Sequence, residues 1–126
     1  MDNVKTMLSL MNWAVVGATQ NKSKFGYKVM KRLVDCGYNV YPVNPVYDEI
    51  DGLKCYKSLV EINDDIDVVN MIVNPKLGLQ FLEEAAQKGI QYIWCQPGAE
   101  SEELIKKAKE KELIIAPNRC VLVELD

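Results

Sequence analysis

The chain alternates between short apolar runs and longer stretches in which apolar residues return every three or four positions. The first pattern predicts strands buried on both faces, the second helices with one buried stripe. Residues 12–17, through Trp13-Ala14-Val15-Val16 to Gly17, read as a first strand. From Phe25 to Cys36, Val29, Met30, Leu33 and Val34 share one helical face, with Lys28, Lys31 and Arg32 opposite. Gly37 ends that helix as a left-handed cap. Asn39 to Val43 is a second strand, and its Pro42 cannot donate to a ladder, so it belongs at a sheet end or edge. Three further strands are expected at Asp67–Val73, Gln91–Cys95 and Leu113–Ala116. Between them lie a helix opened by Pro75 and ended by Gly89, and a second helix N-capped by Ser101.

The remaining segments are shorter. Residues 1–11 carry Val4, Met7, Leu8 and Met11 at helical spacing and predict an N-terminal amphipathic helix. Asp51-Gly52 is a turn dipeptide, Lys54–Tyr56 a brief extended piece, and a helical turn runs from Lys57 or Ser58 through Leu59 and Ile62. Val121–Leu125 reads as a last extended piece. Strand and helix alternate throughout, which predicts one α/β domain over residues 1–126, with helices on both faces of a mostly parallel sheet of about five strands.

Composition narrows the function. Almost half of the 126 residues are hydrophobic, enough for a core. The net charge is −3 and the lysines form no basic run, so neither nucleic acid nor an acidic membrane is expected as a partner. No apolar stretch reaches the roughly 18 residues of a membrane span. Histidine is absent, and Cys36, Cys55, Cys95 and Cys120 form no C-x-x-C pair. That removes the usual zinc spacings and the commonest general base, so no metal site and no catalytic residue is assigned. No signal peptide is legible, and the four thiols read as reduced, small buried hydrophobes of a cytoplasmic protein. Asp64, Asp65 and Asp67 look like a solvated turn, and Glu83 and Glu84 like surface residues of a helix.

In parallel sheets ligands bind beyond the carboxyl ends of the strands, where strand order reverses. The loops at those ends are 17–27, 44–47, 73–75, 96–98 and 118–120, and they place Phe25, Val46 and Arg119 among the site candidates. They are rich in amides, prolines and glycines, which offer hydrogen bonds and close backbone approach with little acid–base capacity. Gly17 lets the chain turn sharply where a helix start presents free N–H groups, and Ala18 is small enough for the same approach. Lys22 and Lys24 read either as phosphate partners or as solvated loop lysines. A dinucleotide site expects an acid at the end of the second strand, and Val43-Asn44-Pro45 stands there instead.

The run Val16-Gly17-Ala18-Thr19-Gln20-Asn21-Lys22-Ser23-Lys24-Phe25-Gly26-Tyr27, with Gly37 to Pro45, Gly52 to Tyr56, Asp67 to Val69, Trp94 to Gly98 and Asn118 to Cys120, resembles the stand-alone CoA-binding domain proteins. These are similar to the N-terminal domain of succinyl-CoA ligase alpha subunits and of ADP-forming acyl-CoA synthetases. The resemblance implies a Rossmann-like three-layer fold and coenzyme A, or an acyl-CoA, as ligand. It implies that Gly17, Ala18, Thr19, Asn21 and Lys22 hold the diphosphate and neighbouring phosphate. Asn44 and Pro45 would pack near the adenosine, and Val73, Pro75, Gln96, Pro97 and Gly98 would line the pantetheine path. Many relatives carry lysine after the Asn-Pro pair, where this chain has Val46, and Lys22 or Lys24 is then the substitute cation for the 3′-phosphate. The ligase domains of those relatives are not legible here, so the expected role is non-catalytic binding. Two alternatives stand beside it: an NAD(P)-binding redox or sensor domain, and an interaction subunit with a vestigial pocket. A protein partner or a homo-oligomer is left open.

Overall fold

The computed structural model describes residues 3–125. In chain order the elements are α1 (Asn3–Leu8), β1 (Asn12–Val16), α2 (Phe25–Asp35), β2 (Asn39–Val43), β3 (Glu49–Ile50) and β4 (Leu53–Lys54). A 3-10 turn at Leu59–Glu61 leads to β5 (Val68–Met71), α3 (Pro75–Lys88), β6 (Tyr92–Cys95), α4 (Glu102–Glu110), β7 (Ile114–Ala116) and α5 (Val121–Glu124). The five long strands make one parallel sheet in the order β2-β1-β5-β6-β7, a Rossmann-like α/β fold.

Side-chain alternation along the strands separates two cores. Ala14, Val16, Val69, Met71 and Ile93 pack under Phe81, Leu82 and Leu104 of α3 and α4. Trp13, Val15, Val68 and Trp94 pack on the other face, against Val29, Met30 and Leu33 of α2, Val4 and Met7 of α1 and Val121 of α5. The helix ends follow local chemistry. Gly37 and Gly89 take φ of +91° and +77° just past α2 and α3. Asn74 and Ser101 accept the N–H of Leu77 and Leu104, capping α3 and α4.

The proline of β2 sits on an edge strand, as its missing donor requires. That edge is partly closed: the Tyr56 N–H donates to the Pro42 carbonyl, and the Tyr56 carbonyl accepts from Asn44 N, each at 2.9 Å. The turn at Asp51-Gly52 joins β3 and β4 into a small antiparallel hairpin, with φ of +50° and +81° at the two turn residues.

Three expectations are corrected. The N-terminal helix spans Asn3–Leu8 rather than residues 1–11; positions 1 and 2 lie outside the described residues. Its chain leaves the helix at Ser9 because the backbone must enter β1, where Asp67 Oδ2 accepts the Asn12 N–H at 3.0 Å; Met11 is therefore exposed. Residues 121–124 are helical, not extended. Their valines suit a strand, but no sheet edge receives them. The Val123 and Glu124 N–H groups instead turn back to the Cys120 carbonyl, and Arg32 Nη1 donates to the Leu122 carbonyl at 3.0 Å. Nor are all four thiols buried: Cys36, just past α2, is exposed and Cys120, just before α5, is half-buried.

Candidate functional site

The chain crosses from β1 to β2 on one side, then returns to β5 on the other side of β1. This reversal opens a crevice beyond the carboxyl ends of β1 and β5. Gly17 follows β1 with φ of +101°. A Cβ there would lie 3.3 Å from the backbone carbon and Cβ of Ile72 and from Val73 Cγ1, across the crevice. Gly26, in the first turn of α2, lies closer still: a Cβ on it would stand 2.2 Å from the Gly17 carbonyl oxygen. The two glycines let the helix start and the strand end touch through backbone alone. Lys24 at the head of α2 makes no side-chain cap, whereas α3 and α4 have one. The Tyr27 and Lys28 N–H groups both donate to the Lys24 carbonyl, which leaves those of Phe25 and Gly26 at the uncapped head of α2 with the helix dipole behind them.

Side chains brace the 17–24 loop from outside. Asn44 Nδ2 donates to the Ala18 carbonyl at 2.8 Å, while Asn44 Oδ1 accepts the Val46 N–H. Thr19 Oγ1 meets Tyr47 Oη at 3.0 Å, Gln20 Nε2 donates to the Glu49 carbonyl, and Tyr27 Oη donates to Asp51 Oδ2 at 2.6 Å. That last bond raises the Tyr27 pKa. Asn21 Oδ1 accepts from Ser23 N and Oγ, an Asx turn within the loop.

Two hollows flank the loop. The larger, about 240 Å³, is lined by Val16, Gly17, Val43, Asn44, Pro45, Val73, Leu77 and Phe81. The smaller, about 80 Å³, lies between Phe25, Ile72, Gln96, Pro97 and Cys120. Gln96 is buried and bonded through both ends of its amide. Its Oε1 accepts from Trp94 Nε1 and Val121 N at 3.1 and 2.9 Å, and its Nε2 donates to Cys120 Sγ at 3.4 Å. Trp94 Nε1 also donates to the Arg119 carbonyl, and Arg119 N to the Cys95 carbonyl, so the 119–121 segment is fastened to the end of β6.

The structure brings Gly17, Ala18, Thr19, Phe25, Asn44, Pro45, Val73, Gln96 and Pro97 around these hollows. Pro75 opens α3 at the rim, and Gly98 turns the neighbouring loop with φ of +91°. Val46 and Arg119 are exposed, and Val46 ends the turn that Asn44 holds. Lys24 is exposed at the head of α2. Lys22 turns away to the outer flank of α2, its Nζ 5.9 Å from the Tyr27 ring centre, in a basic hollow with Lys28, Lys31 and Arg32.

Gly26 and Tyr47 lie in the loops that the sequence marked but were given no role there, and Lys57 lies outside those loops. Lys57 Nζ donates to the Pro45 carbonyl at 3.2 Å, which sets a cation beside the larger hollow next to Val46. Only the Asn-Pro turn and the brief extended piece after it hinted at that neighbourhood. The carboxylates are also more engaged than expected. Glu84 accepts the Leu59 N–H at 2.8 Å and Asp67 that of Asn12, at the opposite end of the sheet from the crevice. Among the described residues, no group of three or more Cys, Asp or Glu is placed to hold a metal ion. No helix of the described residues is long and apolar enough to cross a membrane.

A family model described as "CoA binding domain" matches residues 11–126. The chain is 34% identical over 110 residues to the Bacillus subtilis protein YneT, covering 87% of this chain and 82% of that one. It is 44% identical over 78 residues to the ADP-forming acetate–CoA ligase of Methanocaldococcus jannaschii, covering 62% of this chain but 11% of the ligase. Among solved structures, a conserved protein of Pyrococcus furiosus superposes with a TM-score of 0.88 at 44% identity, over 91% of this chain and 99% of that one. A Thermus thermophilus protein superposes with a TM-score of 0.89 at 27% identity, over 98% and 96% of the two chains.

Proposed function

The chain belongs to the CoA binding domain family, and from that premise we propose that it binds coenzyme A or an acyl-CoA without performing ligase chemistry itself. The observation that carries this reading is the backbone-lined crevice at Gly17, backed by the uncapped start of α2. A diphosphate rests there on main-chain N–H groups and needs no acid–base side chain. The adenosine then takes the larger hollow against Pro45 and Val73, and the pantetheine arm runs past Phe25 toward Gln96 and Pro97. An NAD site is disfavoured by the end of β2, where Asn44 spends its side chain on the loop and no carboxylate receives ribose hydroxyls. The ligase relatives extend well beyond the matched region, so their reaction is not carried over.

Isothermal titration with CoA, acetyl-CoA, NAD and NADP tests the reading. CoA or acetyl-CoA is expected to bind, and more tightly than either dinucleotide. Gly17→Val is expected to abolish binding in a folded protein, since its side chain meets Ile72 and Val73 at a positive φ. Tighter NAD binding, or normal CoA binding by folded Gly17→Val, overturns it.

A further inference from the structure

The smaller hollow carries a group that binding alone does not use. Cys120 Sγ forms part of its wall, opposite the apolar Phe25 and Ile72. Of the four thiols this is the one placed for chemistry at the crevice. Cys95 is fully buried, and burial pushes its pKa up to about 12. Cys55 is buried, and burial raises its pKa as well. Cys36 is exposed, but it follows α2 at the opposite end of the sheet. Cys120 is half-buried, and its sulfur receives a hydrogen bond from Gln96 Nε2, which holds it at the wall of the hollow.

A second observation points to a ligand here. Asn70 is fully buried in the middle of β5, and neither its amide oxygen nor its amide nitrogen has a partner among the described residues. Strand alternation sets Asn70 on the same sheet face as Ile72, one step beneath the floor of the hollow, between Val15 and Trp94. A buried amide left unpaired is costly, and Asn70 lies behind the lining of the hollow, so a polar group that reaches past Ile72 would gain its hydrogen bonds. A thin chain with amides and a terminal sulfur satisfies both features. A nucleoside is too large for a space of about 80 Å³.

We propose that this hollow is a thiol–disulfide exchange site in which Cys120 forms a mixed disulfide with the sulfur end of coenzyme A. The proposal rests on the CoA-binding reading above. The Cys120 thiolate attacks one sulfur of a CoA disulfide. The S–S bond of that disulfide breaks, a Cys120–S–S–CoA bond forms, and one CoA thiolate leaves and takes up the proton that Cys120 released. No further oxidant is needed, because the CoA disulfide is itself the oxidant: Cys120 is oxidised as one CoA is released reduced. The protein is thereby capped by its own ligand, reversibly, whenever the CoA pool is oxidised.

The test uses the full chain with CoA disulfide, and with cystamine as the small disulfide that lacks the nucleotide. Intact-mass and peptide analysis should find one CoA on Cys120, formed at least about tenfold faster than the cystamine adduct and slowed by excess reduced CoA. Cys120→Ser should lose the adduct, and Cys36→Ser should still form it. A protein that binds CoA but reacts first at Cys36, or reacts equally fast with cystamine, refutes the exchange site alone. A protein that binds no CoA in the calorimeter refutes both this site and the reading beneath it.

Discussion

Gly26→Ala adds a single methyl group at the point where α2 meets the end of β1. The added carbon would stand 2.2 Å from the Gly17 oxygen. A carbon approaches a carbonyl oxygen normally to about 3.3 Å, so the backbone must open by about 1 Å. The oxygen has little room to retreat. Gly17 N is bonded to the Val43 carbonyl at 3.1 Å, and Ile72 N to the Val16 carbonyl at 2.9 Å, pinning the strand end from both sides. Helix propensity alone favours alanine by up to about 1 kcal/mol. Overpacking against rigid backbone costs about 1–3 kcal/mol or more, and we expect it to win, with a net loss of about 2 kcal/mol. Urea unfolding reads this directly: the midpoint should fall by about 1 M with m unchanged. CoA affinity should fall at least about tenfold, because the displaced atoms line the crevice. Gly78→Ala is the contrast. Its Cβ would meet Leu104 Cδ1 at 2.8 Å and Met71 Sδ at 3.3 Å, ends of flexible side chains that can move aside. It should change stability by less than about 1 kcal/mol. A Gly26→Ala protein as stable as the parent, with CoA binding intact, would refute the claim that backbone contact shapes the site.

Cys95 titrates at about 12 in the folded chain because burial disfavours its thiolate. Unfolded, it ionises near the ordinary thiol value, so stability is full below about pH 8.5 and declines as pH rises from there toward 12, by up to about 1.4 kcal/mol per unit. Cys95→Ala should flatten that alkaline decline in urea midpoints, and an unchanged slope would exclude Cys95 as its source. Arg32→Met should loosen α5, because its guanidinium holds the Leu122 carbonyl. Hydrogen exchange at Val123–Leu125 should quicken by about tenfold, and unaltered rates would show that the contact does not restrain the helix. Asn70→Leu removes two unpaired polar atoms from the sheet, so the ligand-free protein should gain about 1 kcal/mol while its exchange with CoA disulfide slows. A lower melting temperature would show that the amide is satisfied in the folded chain.

The five parallel strands were legible because each is a short apolar run between turn residues, and Pro42 even marked the edge. The general rule for parallel sheets pointed to the loops beyond the carboxyl ends of the strands, and the strand order that sets the reversal at β1 is visible only in the fold. Other features depend on which segments meet. Nothing local distinguishes Gly26 from a dispensable helical glycine, since its constraint is an oxygen nine residues away. Val121 and Val123 suit a strand, and only the missing sheet edge and the carbonyl of Cys120 make them helical. Polar residues at the right loops are equally ambiguous in sequence. Asn44 and Gln96 point to the site, and their side chains turn out to bind the protein to itself there. Lys57 was passed over because its neighbour Pro45 lies twelve residues earlier, brought alongside by the hairpin between them.

The margin of the sheet along β2 has a bearing on assembly. Pro42 has no hydrogen to lend, and its oxygen is already held by Tyr56. A second copy of the chain arriving there, strand against strand, would find that stretch of its docking rail missing. Continuous cross-molecule sheets through this side are thereby discouraged, and the crevice mouth beyond Val43 stays clear for a solute to come and go.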